Sequence, residues 1–141
     1  MIVLDVNVLV AAFREDHQHH LQTRPWLERL LSEGEEIVIP DAVWVGFVRI
    51  TTSRSVFEVP ATAAEAFEFV AGVTGVPGYR VMPGLTEGIA LFARVCLEAS
   101  ASGNLVPDAY VASVARAYAC PVASFDRDFR RFDDLEIVVP A

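Results

Sequence analysis

Lysine is absent: all 11 basic residues of the 141-residue chain are arginine. That excludes a Walker-type phosphate loop, which needs a lysine on the β/γ-phosphates, and it excludes lysine Schiff-base chemistry. It also counts against phospho-aspartyl folds such as haloacid-dehalogenase phosphatases and response-regulator receivers, which set a lysine beside their acids. Cysteine is scarce, with only Cys96 and Cys120, too few for a disulfide scaffold and without CxxC spacing, so both are read as buried thiols. Long apolar runs are missing as well. The longest stretch free of charged residues, Phe69 to Tyr79, is broken by three glycines and Pro77, and no membrane span is expected. The opening MIVLDVNV has no basic leader region, so a cytoplasmic protein is expected. Positive charge is short overall. A net charge of −8 argues against a broad basic surface, and any dealing with nucleic acid then calls for cations.

What is present suits one compact domain over residues 1–141, 53% hydrophobic and 21% charged. Short Val/Ile-rich runs alternate with longer helix-period segments, the pattern of an α/β fold built on a parallel sheet. Strands are expected at Ile2–Leu4, Ile37–Ile39, Tyr79–Met82, Pro121–Ser124 and Ile137–Val139. Helices are expected at Leu21–Ser32, Ala42–Thr52, Ala61–Val73, Glu87–Ala99 and Pro107–Ala119, with Pro25, Pro60, Pro83 and Pro107 near starts and Gly34 and Gly103 near ends.

Acids fall at telling places on this map. Asp5 and Asp126 each follow a strand, and in open parallel sheets ligands collect beyond the carboxyl ends of strands, near a change of strand order. Asp108 sits in the first turn of the helix near Pro107, where the helix dipole favours negative charge. Each has a competing reading as a helix cap, as does Asn7, and Asp126 and Asp128 could cap a short DFRRF helix. The convergence of three acids from distant segments favours a site. At an effective dielectric of about 20, two charges about 5 Å apart repel by roughly 3 kcal/mol, so the cluster needs a counter-charge and at least one carboxyl pKa should rise. Oxygen ligands of this kind suit Mg²⁺ or Mn²⁺.

The blocks IVLDVNVLVAAF, VWVGFVRITTS, GNLVPDAYVASVA and ASFDRDFRRFDDL together resemble PIN-domain ribonucleases, in particular VapC toxins of bacterial toxin-antitoxin modules, over essentially the whole chain. The resemblance implies an α/β/α sandwich around a central, mainly parallel five-stranded sheet. It implies an Mg²⁺-dependent endoribonuclease that acts as the toxin of a type II module, a homodimer, and a VapB-like antitoxin as partner. By the same match, Asp5, Asp108 and Asp126 are the metal-holding acids, and Asn7 is the polar residue that positions the first carboxylate or a metal-bound water. One position departs from the pattern. Gly46 stands where many PIN domains carry a glutamate, which leaves open a second firmly held metal, a compensating role for Asp128, and the alternative of a catalytically weak scaffold that binds an antitoxin or RNA.

Other candidates carry less. His17, His19 and His20 form an HQHH cluster that could ligate a transition metal, but without HExxH or a nearby cysteine they read as a loop or first-helix turn. The tract Phe67–Gly78 matches neither GxGxxG nor a P-loop, and Trp26 and Trp44 read as core or interface residues. Arg49, Arg54 and Arg80 are candidates to touch RNA phosphate or an acidic partner segment.

Overall fold

The structure, a computed structural model, describes residues 1–141, the side chain of Thr86 excepted. In chain order it comprises β1 (Ile2–Leu4), α1 (Val6–Phe13), α2 (His20–Glu33), β2 (Ile37–Val38), α3 (Asp41–Thr51) and α4 (Ala63–Thr74). There follow β3 (Tyr79–Arg80), α5 (Leu85–Glu98), α6 (Leu105–Tyr118), β4 (Val122–Ala123), a 3-10 helix (Arg127–Arg131) and β5 (Ile137–Val138). All strands pair in parallel, in the order β3-β2-β1-β4-β5. The chain runs outward from β1 to β3, then returns to place β4 on the other side of β1. The strand order therefore reverses between β1 and β4, which is where an open α/β sheet leaves a crevice at its carboxyl edge.

β1 is central and buried along its whole length, as are Ile37, Val38, Val122 and Ala123 beside it. Strands covered on both faces need apolar side chains at every position, not alternate ones. The helices divide into two groups by contact: α1 packs on α2 and α3, and α3 on α4, while α5 packs on α6. A three-ring cluster of Phe13, Phe47 and Phe69 ties α1, α3 and α4 together, with centroids 5.2–5.4 Å apart. Gly78 is required by packing: a Cβ there would lie 2.3 Å from the Glu35 carbonyl oxygen, beside the loop that feeds β2.

The expected strands are all present, though β2, β3, β4 and β5 are only two residues long. Helix α1 carries no helical signal in the sequence. Val8 to Ala12 are all buried, and a helix buried nearly all round has no polar stripe to reveal its period. Its Val6, Val8 and Val10 also favour strand geometry. Helix starts shift too. α2 begins at His20 and contains Pro25, while α6 begins at Leu105, two residues before Pro107. α4 begins at Ala63 behind a capping box in which Thr62 and Glu65 satisfy each other's backbone N–H groups. Cys96 and Cys120 are half-buried, not buried as expected. Trp26 is in the core, and half-buried Trp44 donates its indole N–H to the Tyr79 hydroxyl at 3.0 Å.

Candidate active site

Asp5 leaves β1 at the point of strand reversal, and its backbone N–H donates to the Ala123 carbonyl at the end of β4, 3.1 Å away. The side chain caps α1: Oδ1 accepts from the Val6 N–H at 2.7 Å. Oδ2 accepts from the Ser124 hydroxyl at 2.8 Å. Asp5 is 4% exposed, and this burial pushes its pKa up against the lowering effect of its two hydrogen bonds.

Ser124 is the hub of the arrangement. While donating to Asp5, its Oγ accepts from Asn7 Nδ2 at 3.0 Å and from the Asp126 N–H at 3.0 Å. Asn7 Oδ1 in turn accepts from the Phe125 N–H at 3.2 Å. Asn7 therefore acts on the first acid through Ser124, and it joins α1 to the segment that carries Asp126. The helix-cap reading of Asn7 fails. The only signal for Ser124 in the sequence is its place in ASFD, between the end of a strand and an acid.

Asp126 does act as a cap, its Oδ1 accepting from the Asp128 N–H at 2.8 Å to open the 3-10 helix. That turn brings Asp128 back beside it. Single carboxylate oxygens of Asp108, Asp126 and Asp128 lie within 4.8 Å of one another. The acids thus group differently from the expected Asp5, Asp108 and Asp126, with Asp128 in the open cluster and Asp5 buried behind it.

The Asp108 carboxylate has no structural duty. In the first turn of α6, Leu105 and Val106 donate to the Ser102 and Gly103 carbonyls, and Pro107 has no N–H to satisfy. No donor reaches the Asp108 carboxylate among the described residues, so it is not a cap. Half-buried, it has its pKa pushed up to about 7, first by burial and then by the charges of Asp5, Asp126 and Asp128. Repulsion raises a carboxyl pKa as expected, but burial is the larger cause.

No arginine pairs with any of these four acids within 4.0 Å among the described residues. The set offers hard oxygen ligands, one of them unpartnered and partly desolvated, and so has the chemistry of a divalent-cation site.

The PIN-domain family model matches residues 2–135. The chain belongs to the PIN-domain family. This PIN domain is 43% identical over 140 residues to Ribonuclease VapC31 of Mycobacterium tuberculosis, covering 99% of each chain, and 41% identical to Ribonuclease VapC25 of the same organism over the same span. Its fold is shared by VapBC2 of Rickettsia felis, solved bound to a promoter DNA fragment, with a TM-score of 0.68 at 17% identity over 98% of each chain. FitAcB of Neisseria gonorrhoeae superposes with a TM-score of 0.65 at 18% identity, covering 99% of this chain and 98% of that one.

Gly46 lies on α3 against the start of α1. A Cβ there would stand 3.7 Å from Val6 Cγ2, in ordinary contact, with nothing else within 4 Å. A longer side chain therefore has room beside the residue that follows Asp5. Gly46→Glu should fold and bind Mn²⁺ more tightly, by roughly the tenfold that about 1.4 kcal/mol represents. Unchanged Mn²⁺ affinity by calorimetry would show that position 46 does not face the acids.

Proposed function

We propose that this PIN domain is a metal-dependent endoribonuclease, the toxin of a type II toxin-antitoxin module, held inactive by a VapB-like partner. The observation that carries the reading is Asp108, a carboxylate in a nest of three others with neither a cap to make nor an arginine to pair with. Asp108, Asp126 and Asp128 would hold Mg²⁺ or Mn²⁺ in front, with Asp5 behind them. Bound there, the ion supplies an activated water and stabilises charge developing on the phosphate. The protein's own part is orientation. Ser124 and the Val6 N–H fix both oxygens of Asp5, and Asn7 holds the Phe125–Asp126 backbone so that two segments distant in sequence share one edge. Asn7 and Ser124 are positioning residues in this scheme.

The partner reading has its own surface. Between α2 and α4 lies a groove of about 480 Å³ with Phe13, Leu27, Leu31 and Phe69 on its floor and Glu65 and Glu68 among its lining residues. Apolar contact with acidic flanks suits an amphipathic segment bearing basic side chains, and an acid cluster without metal suits a basic side chain entering it. Large exposed apolar side chains, such as Val45 at 68% and Phe67 at 56%, are the surface that a homodimer has to cover.

The purified chain should cleave RNA with Mg²⁺, stop in EDTA, and stop again when co-expressed with the product of an adjacent antitoxin gene. Folded protein that leaves RNA intact across a Mg²⁺ and Mn²⁺ titration would favour the non-catalytic scaffold that Gly46 keeps open.

A further inference from the structure

A chain of net charge −8 that takes an anionic substrate to an acidic edge must place cations there, and the structure shows which arginines are free to serve. Arg14, Arg24, Arg80 and Arg116 are ion-paired to Asp16, Glu28, Glu36 and Glu98. Arg80, one of the arginines named from the sequence, donates its Nε to Glu36 at 3.0 Å. Among the arginines without a carboxylate within 4.0 Å in the described residues, Arg127, Arg130 and Arg131 fall together in one five-residue helix.

That helix sorts its side chains by threes. In 3-10 geometry residues three apart eclipse one another. Phe129 and Phe132 are buried and anchor one face, in line with Asp126. Arg127 and Arg130 share the second face, and Arg131 shares the third with Asp128, a member of the open acid cluster. All three arginines are exposed. Arg127 and Arg130 are separated by about 6 Å along the helix at a rise of about 2.0 Å per residue, comparable to the spacing of successive phosphates on an extended strand.

On the other side of Asp126 in sequence, the Phe125 ring is stacked on His19, with centroids 4.3 Å apart and planes 10° from parallel. Both residues are half-buried, and His17 continues the run of rings 5.6 Å from His19. The backbone of Phe125 is fixed by Asn7, so the stack is held rigidly beside the acids. Aromatic and imidazole faces are what unstacked RNA bases settle on.

We propose that Arg127, Arg130 and Arg131 bind RNA phosphates, and that the His19–Phe125 stack receives a base, so that the strand is held across the acid cluster. The inference rests on the nuclease reading and names the residues that seat its substrate. Charge and stacking leave different signatures, which the test exploits. Binding of a fluorescein-labelled single-stranded RNA oligonucleotide is measured by anisotropy over a salt series with Mg²⁺, in an Asp108→Asn background. Arg127→Ala/Arg130→Ala should weaken binding about tenfold. It should also flatten the dependence of log K on log salt by about 1.4, since each phosphate contact to a single strand contributes about 0.7. His19→Leu should weaken binding about tenfold with the salt slope unchanged, and His19→Phe should restore it. Arg94→Ala, which removes an exposed arginine on α5, should change neither.

Unaltered affinity and slope in the double arginine variant, while the parent still cleaves RNA, would overturn the docking surface and leave the nuclease reading in place. RNA binding that depends on these arginines and on His19, in a parent chain that never cleaves, would uphold the surface and remove the nuclease reading. No RNA binding at low salt would overturn the docking surface.

Discussion

Asp108→Asn is expected to lower RNA cleavage by about 10³-fold or more while the fold remains intact, the size of effect that several kcal/mol of lost metal-assisted stabilisation represents. An amide cannot supply the anionic oxygen that a hard cation requires, and this carboxylate has no hydrogen bond whose loss would unsettle α6. Asp5→Asn should be as inactive but also less stable, by about 1 kcal/mol. Both Asp5 oxygens accept hydrogen bonds, and an amide nitrogen would have to face either the Val6 N–H or the Ser124 hydroxyl. That hydroxyl already accepts from Asn7 and Asp126. Asp126→Asn should lower cleavage as well, since it too loses an anionic oxygen, but asparagine can still cap the 3-10 helix with its remaining oxygen and keep the fold. Rates measured across a Mg²⁺ titration decide the matter: an Asp108→Asn protein as fast as the parent would sink the metal-site assignment.

In EDTA the same substitution should stabilise the protein. The Asp108 pKa is pushed up to about 7, so the folded chain holds a proton there that the unfolded chain releases near 4. Between those values the folded state binds more protons. Stability therefore falls as pH rises from about 4 to about 7, and the penalty is fully present above that range. Buried Asp5, shifted in the same direction, adds to the fall. At pH 8, Asp108→Asn should melt above the parent. The gain is on the order of 1 kcal/mol once solvent screening of a half-buried group is discounted, or about 3 °C for a domain of this size. Mg²⁺ should then raise the melting temperature of the parent more than that of the variant. The dipole of α6 favours the charged form, but at roughly 0.3–1 kcal/mol it does not outweigh burial and three like charges together. A variant that melts below the parent at pH 8 in EDTA would show that the Asp108 charge serves the fold.

The acids were legible because two of them end apolar runs and one opens a helix, and these are local features. How they group was not. Asp128 joins Asp108 and Asp126 because the backbone turns at Asp126, and its side chain accepts the Asp128 N–H to make that turn. Ser124 could not be singled out, since its role exists only where the ends of β1 and β4 adjoin. The partner of His19 was not legible either, since it meets Phe125 across about a hundred residues of chain.

Local sequence features were enough to read the fold class, the five parallel strands and the family. Each of these follows from apolar runs and motif blocks that act over a few residues or recur along the chain. Which carboxylates are left uncapped depends on packing. Every acid at the sheet edge had a cap as its alternative, and a cap is settled by which N–H groups remain unpaired after packing. For Asp5 and Asp126 those groups exist; for Asp108 they are taken by Ser102 and Gly103 or missing at Pro107, and a partly buried carboxylate is left for a cation.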